Sequence, residues 1–100
     1  MQVKLYKVMC TTPSGGHWFL RSEYREGGIG GDWTEYTLYS KEEADRANSY
    51  SLKGTAELVI LSFRECHPRS LYAYKPGRGM RVQYDRLTLQ VVEFVAEVKD

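Results

Sequence analysis

The sequence predicts an α+β domain: a mainly antiparallel sheet of five to six strands with one short helix, about residues 41 to 52, packed on it. Three observations predict this class. Segments rich in Val, Leu, Tyr, Trp and Phe recur along the chain with turn residues between them, as in sheet proteins built from hairpins. One stretch, SKEE, has the signature of a helix start. The chain has 100 residues and 42% hydrophobic content, enough for one core and not for a second. Residues 1–100 are therefore read as a single α+β domain.

Residues 2 to 10 and 17 to 24 predict a hairpin, with TTPSGG supplying Pro and Gly for the turn. REGGIGGDWTE, residues 25 to 35, has four glycines within five positions and predicts a mobile loop. A short strand is expected at 37 to 39. Ser40 and Glu43 then form an S-x-x-E capping box, in which each side chain serves an amide left without a partner at a helix start. The acids Glu42, Glu43 and Asp45 suit the positive end of that helix, and Gly54 suits its stop. Residues 57 to 64, ELVILSFR, are apolar on both alternating faces and predict a central strand, closed by Cys66, His67 and Pro68. A second hairpin is expected, with strands at 71 to 75 and 80 to 84 around a turn at 76 to 79. The last segment fits either a helical stripe or an alternation broken by a bulge. Its valines favour the strand, placed beside the first strand of the chain.

Composition narrows the function classes. No apolar run approaches the roughly 18 to 20 residues needed to span a bilayer, so no membrane partner is expected. MQVKLYKVMC carries lysines within its apolar run and lacks a small-residue cleavage site, unlike a secretory signal, and a cytoplasmic location is the expectation. Two cysteines, Cys10 and Cys66, are too few for a disulfide scaffold.

Charge is segregated. RSLYAYKPGRGMRVQYDR, residues 69 to 86, holds five basic residues, one acid and three tyrosines, a local +4 in a chain of net +1 that leaves about −3 elsewhere. Arg69, Lys75, Arg78, Arg81 and Arg86 could pair with phosphates while Tyr72, Tyr74 and Tyr84 stack on bases. Arg and Tyr are equally the residues of protein–protein hot spots. An ordinary solvated hairpin is the third reading. Trp33 and Tyr36, flanking the glycine-rich loop, are candidate anchors for a partner.

The classes that need specific chemistry are weaker. Cys10, His17, Cys66 and His67 have zinc-compatible chemistry but none of the short knuckle spacing of structural sites, and adjacent side chains on an extended backbone diverge. The same residues supply no signature of a nucleophilic pair, and a hydrolase using His17 or His67 is a distant reading. GGIGG has neither spacing of a phosphate-binding loop. No metal, cofactor or catalytic residue is assigned.

In layout, a hairpin, a glycine-rich loop and then LYSKEEADRA as a capped helix, residues 2 to 64 resemble small accessory proteins encoded by bacteriophages, including inhibitors of host defence. The resemblance implies binding to a host protein or nucleoprotein complex by surface complementarity, without catalysis. The expected function is non-enzymatic binding of a protein through Arg69, Tyr72, Tyr74, Lys75, Arg78, Arg81, Tyr84 and Arg86, with Trp33 and Tyr36. The alternative is a sequence-tolerant RNA or single-stranded DNA binder. An exposed edge strand would also allow a homodimer.

Overall fold

In the computed structural model, which describes residues 1–66, 71–82 and 86–98, six strands form one sheet. They are β1 (Gln2–Thr11), β2 (His17–Arg25), β3 (Trp33–Ser40), β4 (Leu71–Lys75), β5 (Arg78–Val82) and β6 (Thr88–Glu97), in the order β5-β4-β3-β2-β1-β6. All neighbours are antiparallel except β3 and β4, which run parallel. A parallel pair needs a crossover, and the segment between them contains the helix α1 (Lys53–Cys66). The α+β class and the expected pairing of the last strand with the first are both present.

The sheet has two dissimilar faces. Val8, Cys10, Leu20, Leu38, Ala73 and Leu89 alternate onto one face and form the core with Ala56 and Phe63 of α1. The opposite face carries Lys7, Arg21, Tyr39, Tyr72 and Tyr74, and a 3-10 segment (Lys41–Arg46) covers part of it. We call these the helix face and the tyrosine face.

The crossover changes face through the sheet itself. β1 and β2 pair only from Met9↔Phe19 to Thr11↔His17 and then diverge. In the gap, Tyr6 and Tyr50 exchange backbone hydrogen bonds of 2.8 Å, and the Ser22 amide donates to Asn48 Oδ1 at 2.6 Å. Residues 47 to 50 thus bridge the separated strands, carrying the chain from the tyrosine face to the helix face. The inserted segment satisfies backbone groups that the splayed hairpin would otherwise leave unpaired.

The helix lies later than the capping box predicts. Residues 41 to 46 make a 3-10 segment broken at Glu43 (φ −116°, ψ 21°), without a side-chain cap hydrogen bond, and Ala47 is already extended. The Lys7 ammonium donates to the carbonyls of Ala44 and Ala47 at 2.8 and 3.1 Å, taking acceptors that a continuing helix would use. Gly54 lies in the first turn of α1 rather than ending a helix.

Residues 57 to 64 are helical, not a central strand. Ala56, Val59, Ile60 and Phe63, at spacing i, i+3, i+4, i+7, face the sheet, while Leu58 and Leu61 are 63% and 53% exposed. Apolar residues on both alternating positions suit a buried strand and a short helix alike, and here the helix wins. β3 begins at Trp33, four residues before the expected strand, and β5 begins at Arg78, so the turn is Pro76–Gly77 alone. The expected bulge near the end of the chain is absent: β6 pairs with β1 residue for residue from Thr11↔Thr88 to Gln2↔Glu97.

Candidate functional site

The tyrosine face gathers the site. β4 alternation sends Tyr72 and Tyr74 to the same side, and the parallel register sets Tyr74 beside Tyr39 of β3. Tyr39 and Tyr74 stack with centroids 5.9 Å apart, and Tyr72 and Tyr74 with centroids 6.3 Å apart. Both ends of this row carry a guanidinium. Arg46 lies 4.7 Å over Tyr39, and Arg81, the cross-strand neighbour of Tyr72, lies 5.4 Å over that ring while donating to its hydroxyl at 3.2 Å. Tyr74 also lies across from Gly79, where a Cβ would stand 3.3 Å from the ring. The glycine makes room for the tyrosine to lie flat on the hairpin.

Trp33 joins the same face from the start of β3. The glycine-rich stretch, expected as a mobile loop, contains a 3-10 turn (Gly28–Gly30) with amide-to-carbonyl bonds from Gly30 to Gly27 and from Gly31 to Gly28. Asp32 accepts from the Gly27 amide and from the Tyr24 hydroxyl. Gly27 lies against the indole: a Cβ there would run into the Trp33 ring and the Gly31 carbonyl. These contacts aim Trp33 outward, 51% exposed, with Tyr72 49% exposed.

Between them is a half-open pocket of about 320 Å³ lined by Trp33, Glu35, Thr37, Tyr72 and Tyr74, among others. It forms because the parallel register starts β4 opposite the middle of β3, so the first residues of β3 have no β4 neighbour among the described residues. The charge around it is balanced. Glu23 pairs with both Arg21 and Arg25, and Arg25 reaches Glu35 at 3.2 Å.

The predicted site residues divide. Trp33, Tyr72, Tyr74 and Arg81 come together on the tyrosine face. Tyr36 does not: its side chain is in the core on the helix face, edge-on to Phe63 at 5.0 Å, with its hydroxyl on Cys66 Sγ at 3.7 Å. Alternation along β3 puts Trp33 and Tyr36 on opposite sides, so both cannot anchor one partner. Lys75 and Arg78 are an exposed cross-strand pair at the Pro76–Gly77 tip, on the helix-face side. Arg86 is exposed ahead of β6. Arg69 and Tyr84 lie outside the described residues. Tyr39 and Arg46 belong to the array and were not candidates; their signal, the β3 register against β4, is not local in sequence.

The metal-like set is dispersed. Cys10 is buried on the helix face, whereas His17 is exposed on the other and bonds Thr11 Oγ1 at 3.2 Å. His67 lies outside the described residues, and among those described no group of three or more His, Cys, Asp or Glu side chains is placed to hold a metal. Burial pushes the Cys10 thiol up to about 12, the opposite of an activated nucleophile. Among the described residues no helix is long and apolar enough to cross a membrane.

No family model matches the chain, and neither a curated protein nor a solved structure is significantly similar to it.

Proposed function

We propose that this protein is a non-enzymatic binding module that docks on another protein through the tyrosine face. The observation that carries the reading is the joint presentation of Trp33, Tyr72 and Tyr74 beside one pocket, with the row of rings fixed by Tyr39, Arg46 and Arg81. Rings already stacked lose little rotamer freedom on association, which is why Tyr and Trp dominate hot spots.

The charge supports a protein rather than a nucleic acid. Arg21 and Arg25 are joined to Glu23 and Glu35, and Lys75 and Arg78 stand on the other side of the hairpin tip. A nucleic-acid surface needs several cations free to neutralise phosphates along one track. Of the cations in residues 69 to 86, Arg81 is engaged with the Tyr72 ring, and Lys75 and Arg78 stand exposed away from the tyrosine face.

The layout resemblance to bacteriophage accessory proteins makes a host protein the first class of partner to test, in a cytoplasmic setting. The experiment is affinity capture from host-cell lysate, identification of the partner, and reconstituted binding of Trp33→Ala and Tyr72→Ala. Each should weaken binding by about thirtyfold, the 2 kcal/mol of a hot spot. Retained affinity in both variants, or capture of RNA alone with a steep log-linear salt dependence, would overturn the reading.

A further inference from the structure

The two edges of the sheet are unequal. β5 is five residues long, follows a Pro-Gly turn and carries Arg78 and Arg81, features that blunt an edge against pairing. β6 is ten residues long, contains no proline, glycine, lysine or arginine, and has no bulge along its ladder with β1. Among the described residues nothing pairs with its outer side. Val95 is 56% exposed.

The direction of each backbone group follows from the hydrogen bonds. Tyr6 spends both its N–H and C=O on Tyr50, away from β6, so its partner Glu93 also directs both groups away from β1. The Val98 amide, at the opposite parity, donates to the Met1 carbonyl at 2.9 Å. Alternation then turns the N–H and C=O groups of Leu89, Val91, Glu93 and Val95 outward.

We propose that this edge is a homodimer interface, in which β6 of a second copy pairs antiparallel about a twofold axis at Val92. Outward-directed residues must face outward-directed residues, so the axis passes through a residue and not between two. Among axes through a residue, those at Val92 and Glu93 pair the most of β6 with its copy, because they lie at the middle of the strand. An axis at Glu93 would set two carboxylates directly opposite, which is destabilising. An axis at Val92 sets Val92 against its own copy, Leu89 against the partner's Val95, Val91 against the partner's Glu93 and Phe94 against the partner's Gln90. Residues 88 to 96 of both copies then pair without an opposed charge, and the two sheets become one. Glu93 stays neutralised by Lys4, at 3.7 Å within its own chain.

Sedimentation equilibrium of the full chain should show a monomer–dimer equilibrium. Val95→Pro removes an outward amide without touching the β1 ladder, and should raise the dimer dissociation constant about tenfold or more with the circular dichroism unchanged. Val95→Lys, a gentler block of the edge, should act in the same direction if the proline perturbs folding. The Val92 pair is of the non-hydrogen-bonded kind, with Cα atoms roughly 4.5 Å apart, close enough for a disulfide. In a Cys66→Ser background, Val92→Cys should oxidise to a covalent dimer and Val95→Cys should not. A monomer at all concentrations up to about 1 mM, a dimer unaffected by both position-95 blocks, or cross-linking through 95 and not 92 would overturn the proposal.

Discussion

Tyr74 stacks on Tyr39 with planes 26° from parallel, joining an exposed ring on β4 to a buried one on β3 across the parallel step of the sheet. The pair is a link between the fold and the proposed docking surface. In a double-mutant cycle with Tyr39→Leu and Tyr74→Leu, urea unfolding should give a coupling energy of about 0.5 to 1.5 kcal/mol. Additive effects would mean that the two rings are merely adjacent.

Lys7 holds the crossover in place. Its ammonium is buried, donates to Ala44 and Ala47 and lies 5.4 Å from the Phe94 ring centroid, while burial pulls its pKa below the ordinary lysine value against an opposing pull from Asp45. Lys7→Met keeps the length and removes the donors, taking the ammonium from the Ala47 carbonyl and leaving the Ala44 carbonyl with the Ala47 amide alone. Stability should fall by about 1 to 3 kcal/mol in urea titrations. A variant as stable as the parent would show that the segment 44 to 47 is fixed by other contacts.

The helix register makes an asymmetric prediction. Phe63→Ala empties a fully buried position and should lose about 3 to 5 kcal/mol, whereas Leu58→Gln, on the exposed side, should stay within about 0.5 kcal/mol. Equal losses at both positions would restore the strand expected from the sequence.

Cys10 fixes the sign of one pH dependence. Its thiol titrates at about 12 when folded against an ordinary 9.0, so between these values the unfolded chain releases a proton that the folded chain keeps. That contribution to stability is complete below pH 9 and declines above it by up to roughly 1.4 kcal/mol per pH unit. Lys7 acts in the opposite sense below its ordinary 10.5, and Tyr36 and Tyr50, both raised chiefly by burial, act with Cys10 above 10. Comparison with Cys10→Ala isolates the cysteine: the parent should lose stability faster between pH 9 and 11. Parallel profiles would refute the assignment.

Gly27 tests the seat of Trp33. Gly27→Ala places a methyl group where the indole and the Gly31 carbonyl stand, and Trp33 must move. Quenching of tryptophan fluorescence by acrylamide should increase, with Trp33→Phe as the control that removes the response. Unchanged quenching would show that the loop can absorb the methyl group.

Strands with turns between them were legible because alternation and turn chemistry are local, and both hairpins follow from such signals; the β1–β6 pairing joins strands far apart in sequence and has no local signal. The helix was misplaced for two separable reasons. Ser40 and Glu43 match a capping box in sequence, but no side-chain cap hydrogen bond forms, the backbone leaves helical geometry at Glu43, and the ammonium of Lys7, far away in sequence, binds the carbonyls of Ala44 and Ala47. Residues 57 to 64 satisfy both a two-residue and a 3.6-residue period, and only the sheet beneath decides between them. The site was half legible. Tyr72, Tyr74 and Arg81 share a face by simple alternation, whereas the partition of Trp33 from Tyr36 depended on how far back β3 extends.

The longest ladder of the sheet joins its first strand to its last, bringing Tyr6 beside Glu93 from 87 positions away. Such remote pairing makes folding slow, on the millisecond-to-second scale of sheet proteins with distant contacts. On the ribosome β1 is made before β6, so until β6 is available the edge of β1 that it covers waits unmatched. The nascent chain is most vulnerable to aggregation in that interval, and a chaperone that shelters β1 would act there.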